Sequence, residues 1–178
     1  MAEEFTAKFK VDISDLKKNI SEANKQIKLA NATFKSETAG MESWSKDADG
    51  LSKKLEQLKS ILSSQKSILA SYQSQLQKQQ QAYQENGNRA DQLRAKLQEL
   101  ANNGVAKTDA EYQKYEQALR AVVKEQQNNE KACEELELKI LNQKAAVGQT
   151  EAAINKYSTA QKNLESSSKS LSNTINDQ

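Results

Sequence analysis

From Ile13 onward, apolar side chains recur at alternating steps of three and four residues. The line passes through Leu16, Ile20, Ala23, Ile27, Ala30 and Phe34, then Met41, Trp44, Ala48, Leu51, Leu55, Leu58, Leu62, Leu69, Tyr72 and Leu76. It continues through Tyr83, Ala90, Leu93, Leu97 and Leu100, and its polar members are Glu37, Gln65, Gln79 and Asn86. Thus 22 of 26 slots are apolar, against about nine at the average composition of the chain. A seam of this kind is the heptad pattern of a coiled coil, and it excludes disorder for most of the chain. A second line starts at Tyr112 and runs through Tyr115, Leu119, Val122, Cys133, Leu136, Ile140, Val147, Ile154, Tyr157 and Leu164. It is more polar, with Gln126, Asn129 and Gln143 on it, and it weakens toward the end of the chain.

Between the two lines lies "ELANNGVAKTDAEYQKY", residues 99–115. Continuing the first line past Leu100 would place slots at Gly104, Lys107, Glu111 and Lys114, so the register slips by one residue. Asn102, Asn103 and Gly104 read as a helix stop, because Gly and Asn tolerate the left-handed conformation of a helix end. Thr108 followed by Glu111 matches a capping box and reads as a helix start. A stop, a short loop and a start predict the tip of a helical hairpin.

Flanking charges agree with two arms that pair with each other. Beside the first seam stand Lys54, Lys59, Lys66, Arg89, Arg94 and Lys96. Beside the second stand Glu111, Glu116, Glu125, Glu130, Glu137 and Glu151, against Lys139 and Lys144. Opposite signs favour arm-to-arm pairing over each arm pairing with its own copy. The preferred antiparallel register faces Leu100 with Tyr112 and Asn86 with Gln126. It brings Arg94 near Glu116, Arg89 near Glu125 and Lys59 near Glu151, with Lys66 against Lys144 as its bad pair.

The predicted fold is therefore all-α: an elongated antiparallel coiled-coil hairpin preceded by a short amino-terminal strand and one amphipathic helix. The strand, at 1–12, rests on the two-residue alternation of Phe5, Ala7, Phe9 and Val11. The first helix is expected at 13–38, and a bend carrying Gly40, Trp44 and Gly50 at 39–50. The arms fall at 51–101 and 109–165, the turn at 102–108, and a frayed or truncated end at 166–178. "ENGN" around Gly87 reads as a kink or a loosened turn. The seam residues that carry this prediction are Leu55, Leu62, Leu69, Leu76, Leu93, Leu97, Leu119, Leu136, Ile140 and Ile154. The polar seam set is Gln65, Gln79, Asn86, Gln126, Asn129 and Gln143, positions able to fix register or to loosen the rod locally.

Composition narrows the chemistry. At 36% apolar and 5% aromatic residues, with no Pro and no His, the chain suits a narrow helical seam better than a globular core. A net charge of +2 from 26 basic and 24 acidic residues supplies no field for nucleic acid. A single Cys133 excludes an internal disulfide framework and every multi-cysteine zinc site. The opening "MAEEFTAKFK" has no secretory apolar core, and no run approaches the length of a membrane span. A reduced, intracellular setting is expected. Cys133 and Trp44 both fall on seam slots, so packing is the simpler role for each, and no His exists to activate the thiol. No catalytic or metal site, no cofactor and no small-molecule substrate are expected, and the residues point to a structural element.

Four stretches carry a resemblance. "VDIS-LK" at 11–17, "ANKQIKLAN--FK--TAGM--W" at 23–44, "ADGLS-KL" at 48–55 and "YQENG-RAD-L---L-ELANNG" at 83–104 are similar to the amino-terminal region of tail tape measure proteins. These come from long-tailed phages and prophages of Gram-positive bacteria. The similarity covers about the first 120 residues, and the later part matches in style. The resemblance implies a structural protein that sets tail tube length during assembly and lies in several copies in the tube lumen. It implies assembly in the bacterial cytoplasm and residence in the virion. It also implies as partners copies of itself, the tail tube protein, tail assembly chaperones and tail tip proteins, with no specific nucleic acid and no membrane contact by this segment. Two readings compete: a cytosolic coiled-coil scaffold that binds partner helices, and a secreted helical-hairpin effector. Against the second, Trp44-Ser45-Lys46 lacks the glycine of the WxG export motif.

Overall fold

The computed structural model describes residues 10–176. Within them the chain is all-α. Helix α1 spans Ser14–Glu37, a 3-10 turn spans Trp44–Lys46, α2 spans Ala48–Asn102 and α3 spans Ala110–Asn176. The strand expected at 1–12 lies mostly outside the described residues. Residues 10–12 form no strand, and there is none elsewhere among the described residues.

Each boundary has a local cause. Asp12 opens α1: its carboxylate accepts the Ser14 N–H and the Ser14 hydroxyl, both at 2.8 Å, satisfying a donor that the first turn leaves unpaired. At the other end of α1 the Thr38 N–H and hydroxyl both donate to the Phe34 carbonyl, at 3.1 and 2.7 Å. Asp47 caps α2, its Oδ1 accepting the Gly50 N–H at 2.9 Å and its carbonyl the Leu51 N–H at 2.9 Å. Gly50 is required at that point, because a Cβ there would clash with the Trp44 carbonyl oxygen. The 3-10 turn can cross the start of α2 only over a residue without a side chain.

Helix α2 ends at Asn102 in a Schellman closure. The Val105 N–H bonds the Leu100 carbonyl at 3.0 Å and the Gly104 N–H bonds the Ala101 carbonyl at 3.1 Å, with Gly104 at φ 77°. The cap of α3 differs from expectation. Asp109, not Thr108, accepts the Glu111 N–H, at 2.8 Å, and Thr108 lies within the turn. A carboxylate one residue nearer the helix is the stronger acceptor at this end. Helix α2 is continuous through Gly87, and α3 is helical as far as Asn176.

The described chain divides into two compact units. The first holds Tyr72–Lys139 and the described residues up to Asp15. Here α2 and α3 pack antiparallel around buried Ala90, Leu93 and Val122, with Tyr115, Ala118, Leu119 and Val123 against them. Leu97, Leu100 and Leu136 are also buried, and Leu76 is half-buried.

The second unit holds Leu16–Ser71 and the described residues from Ile140 onward. In it α1 lies alongside α2, the Gln57 amide donating to Asn31 Oδ1 at 2.7 Å. Leu51, Leu55, Leu58 and Ile140 are buried, while Leu62, Leu69 and Ile154 are half-buried. Ser64 and Ile68 are buried one residue ahead of the Gln65 and Leu69 slots. A helix flanked on two neighbouring sides carries two apolar lines, and Ile61–Leu62 with Ile68–Leu69 are the doublets that serve both.

These boundaries predict two separable effects. Gly104→Ala is expected to cost about 1 kcal/mol in urea unfolding, since only the left-handed backbone is strained. Its open surroundings admit the methyl group. Gly50→Ala is expected to displace the Trp44 turn and shift its fluorescence to the red, because the new methyl meets backbone.

Candidate functional site

The feature with the most chemistry in the first unit is a buried polar layer between α2 and α3. Asn129 donates through Nδ2 to Gln79 Oε1 at 2.7 Å, and its Oδ1 accepts from Asn86 Nδ2 at 2.8 Å. All three side chains are buried, and Asn86 is 0% exposed. Three of the six polar seam residues thus meet in one network. The preferred register set Asn86 against Gln126; the hydrogen bond of Asn86 goes to Asn129. Asn129 sits between two successive polar slots of α2, seven residues apart, and bonds both.

Gln126 instead lies beside Gly87, where an added Cβ would come within 3.1 Å of its Nε2. Gly87 lies on an unbroken run of helix, and its missing side chain makes room for a neighbouring amide. Asn86 Oδ1 is buried and has no partner among the described residues, so the layer carries one unsatisfied acceptor. That is costly, because an unpaired buried polar atom forfeits about 1–3 kcal/mol.

The remaining polar seam pair meets in the second unit. Gln143 Nε2 donates to the Gln65 backbone carbonyl at 3.0 Å, while Gln65 Oε1 is buried without a partner among the described residues. Lys66 pairs with Glu151 at 2.9 Å, with both side chains about half exposed. The expected Lys59–Glu151 contact is therefore replaced. Arg94 pairs with Asp91 at 2.8 Å and Glu116 with Arg120 at 3.4 Å, each within its own helix. Exposed pairs of this kind contribute less than about 1 kcal/mol, so a partner one turn away wins over one across the interface.

Cys133 is half-buried. Burial raises its thiol pKa, and Glu137 and Glu130 push it the same way, which lowers the thiolate fraction that any nucleophilic or redox role would need. Among the described residues no group of three His, Cys, Asp or Glu side chains is placed to hold a metal ion. No helix among them is long and apolar enough to cross a membrane. Leu138 in the first unit and Leu141 in the second are exposed apolar residues, at 60% and 65%.

No family model, no curated protein and no solved structure matches the chain.

The polar layer yields a paired expectation. Asn129→Leu leaves the Gln79 carbonyl and the Asn86 amide buried and unpaired, and should cost about 2–4 kcal/mol in urea unfolding. Replacing Gln79, Asn86 and Asn129 together by Leu should restore stability to the wild-type value or above it. It should also broaden the population in sedimentation velocity, because the feature that fixes alignment is gone.

Proposed function

We propose that this chain is a structural element, an antiparallel coiled-coil hairpin from the amino-terminal region of a phage tail tape measure protein. What supports the family is the set of stretches at 11–17, 23–44, 48–55 and 83–104 that resemble that region. What supports the hairpin is the antiparallel packing of α2 on α3 in the first unit around Asn129. In this role the chain helps set the length of the tail tube, lies in the tube lumen in several copies, and meets the tube protein, tail assembly chaperones and tip proteins.

A helix rises 1.5 Å per residue, so extended chain length defines physical length. A folded-back segment would measure only half its contour. The hairpin is therefore better suited to a folded end-piece than to the measuring stretch. A second reading, a scaffold that binds partner helices, is favoured by the exposure of Leu138 in the first unit and, separately, of Leu141 in the second.

In-frame deletion of two to six whole heptads from the full-length gene, with tail lengths measured by electron microscopy, separates these readings. Deletions downstream of this segment should shorten tails by about 1.5 Å per residue, while deletions between Leu51 and Ile154 leave length unchanged. Unchanged tails throughout, in well-assembled particles, would contradict the tape-measure reading and leave the scaffold.

A further inference from the structure

We propose that Phe34, Trp44 and Tyr157 form a three-walled aromatic site for an organic ammonium ion, and that the chain fills it with its own Lys54. The site lies wholly within the second unit. Lys54 Nζ is 4.7 Å from the Phe34 ring centroid, 5.7 Å from that of Trp44 and 5.9 Å from that of Tyr157. All three fall inside the distance of about 6 Å at which a ring face attracts a cation.

The rings do not stack on one another. Phe34 meets Trp44 edge-on at 5.2 Å and 84°, and Trp44 meets Tyr157 at 5.8 Å and 54°. Their faces are thus turned to different sides of one ammonium. Each wall comes from a different element: α1, the 3-10 turn and α3, with Lys54 rising from α2. Gly50, one turn before Lys54, is the residue that lets the Trp44 backbone come close enough to serve as a wall.

Nothing else in the surroundings explains the lysine. Among the described residues no carboxylate pairs with Lys54, and its polar partner is Gln57 Oε1 at 2.8 Å, which takes one of its three N–H donors. Burial lowers the Lys54 pKa, so the position costs the ammonium hydration that a carboxylate does not restore. Three quadrupolar ring faces supply the compensation. Their chemistry favours a soft, alkylated cation over a neutral group of the same shape. An external alkylammonium or methylated ammonium enters only where Lys54 leaves. The inference does not depend on the tail assignment.

Two measurements test it. Reductive 13C-methylation keeps lysines cationic, and in the wild-type protein it should give one dimethyl-lysine resonance shifted upfield by the rings. That resonance should vanish in Lys54→Arg, which cannot be so methylated. It should persist in Lys156→Ala, the control for a cation 5.7 Å from Tyr157. In Lys54→Ala, tetramethylammonium chloride should change the fluorescence of Trp44, the single Trp of the chain, saturably and at least tenfold more strongly than tert-butanol. The wild-type protein should respond at least tenfold more weakly. The absence of any upfield resonance in the folded wild-type protein would overturn the proposal. So would a helical Lys54→Ala that responds equally to both probes. If Lys54→Ala loses its helical circular dichroism, the resonance decides alone.

Discussion

Asn129 occupies a place in the first unit where the alignment of α3 on α2 is set by direction as well as by volume. Its amide gives a hydrogen bond to Gln79 and takes one from Asn86, both on α2 and separated by two turns. Leucine against leucine tolerates a slide of one heptad, because each new pairing resembles the last. An amide that must both donate and accept at fixed heights does not. Sliding α3 by seven residues would take Asn129 out from between the two amides and leave at least one of them buried and unpaired, at about 1–3 kcal/mol. The apolar contacts of Ala90, Leu93 and Val122 supply attraction, and the polar layer selects which attraction is realised. The Schellman closure at Gly104 and the Asp109 cap then fit a turn of the length that this alignment requires.

The second unit is organised by a different demand. There α2 is flanked by α1, and the Trp44 turn crosses its start over Gly50. Phe34, Trp44 and Tyr157 gather around Lys54 where a narrow seam alone would have left a hydrated lysine. Polar residues on the seam are used sparingly and locally, as in the bond from Gln143 to the Gln65 carbonyl.

Much of this was legible in the sequence, and the remainder failed for physical reasons. The line of α3 kept its alternating spacing, with Val122, Asn129, Leu136, Ile140, Val147 and Thr150 buried along it, because one neighbour dominates that helix. On α2 the same template missed Ser64 and Ile68, since a heptad seam has no place for a second flanking helix. The doublets Ile61–Leu62 and Ile68–Leu69 were the available signal. That Gln79, Asn86 and Asn129 share the interface could be read from spacing. Which of them bond could not, because a residue of α3 level with the gap between two slots of α2 is in reach of either. Exposed charge pairs were the least legible, as Arg94 and Glu116 found partners within their own helices. The tip of α2 was visible in Asn102-Asn103-Gly104, whereas the start of α3 was read at Thr108 and the cap is its neighbour Asp109.

In the first unit, α2 and α3 of one chain pack antiparallel with Asn129 against Asn86. Oxidative cross-linking tests it with the amide layer left intact: Ala90→Cys with Val122→Cys, two buried members of one core cluster, in a Cys133→Ala background and at high dilution. The account predicts a disulfide within one chain, seen as a faster-migrating monomer on a non-reducing gel. Cross-links only between chains, or none while the helical circular dichroism is intact, would contradict it.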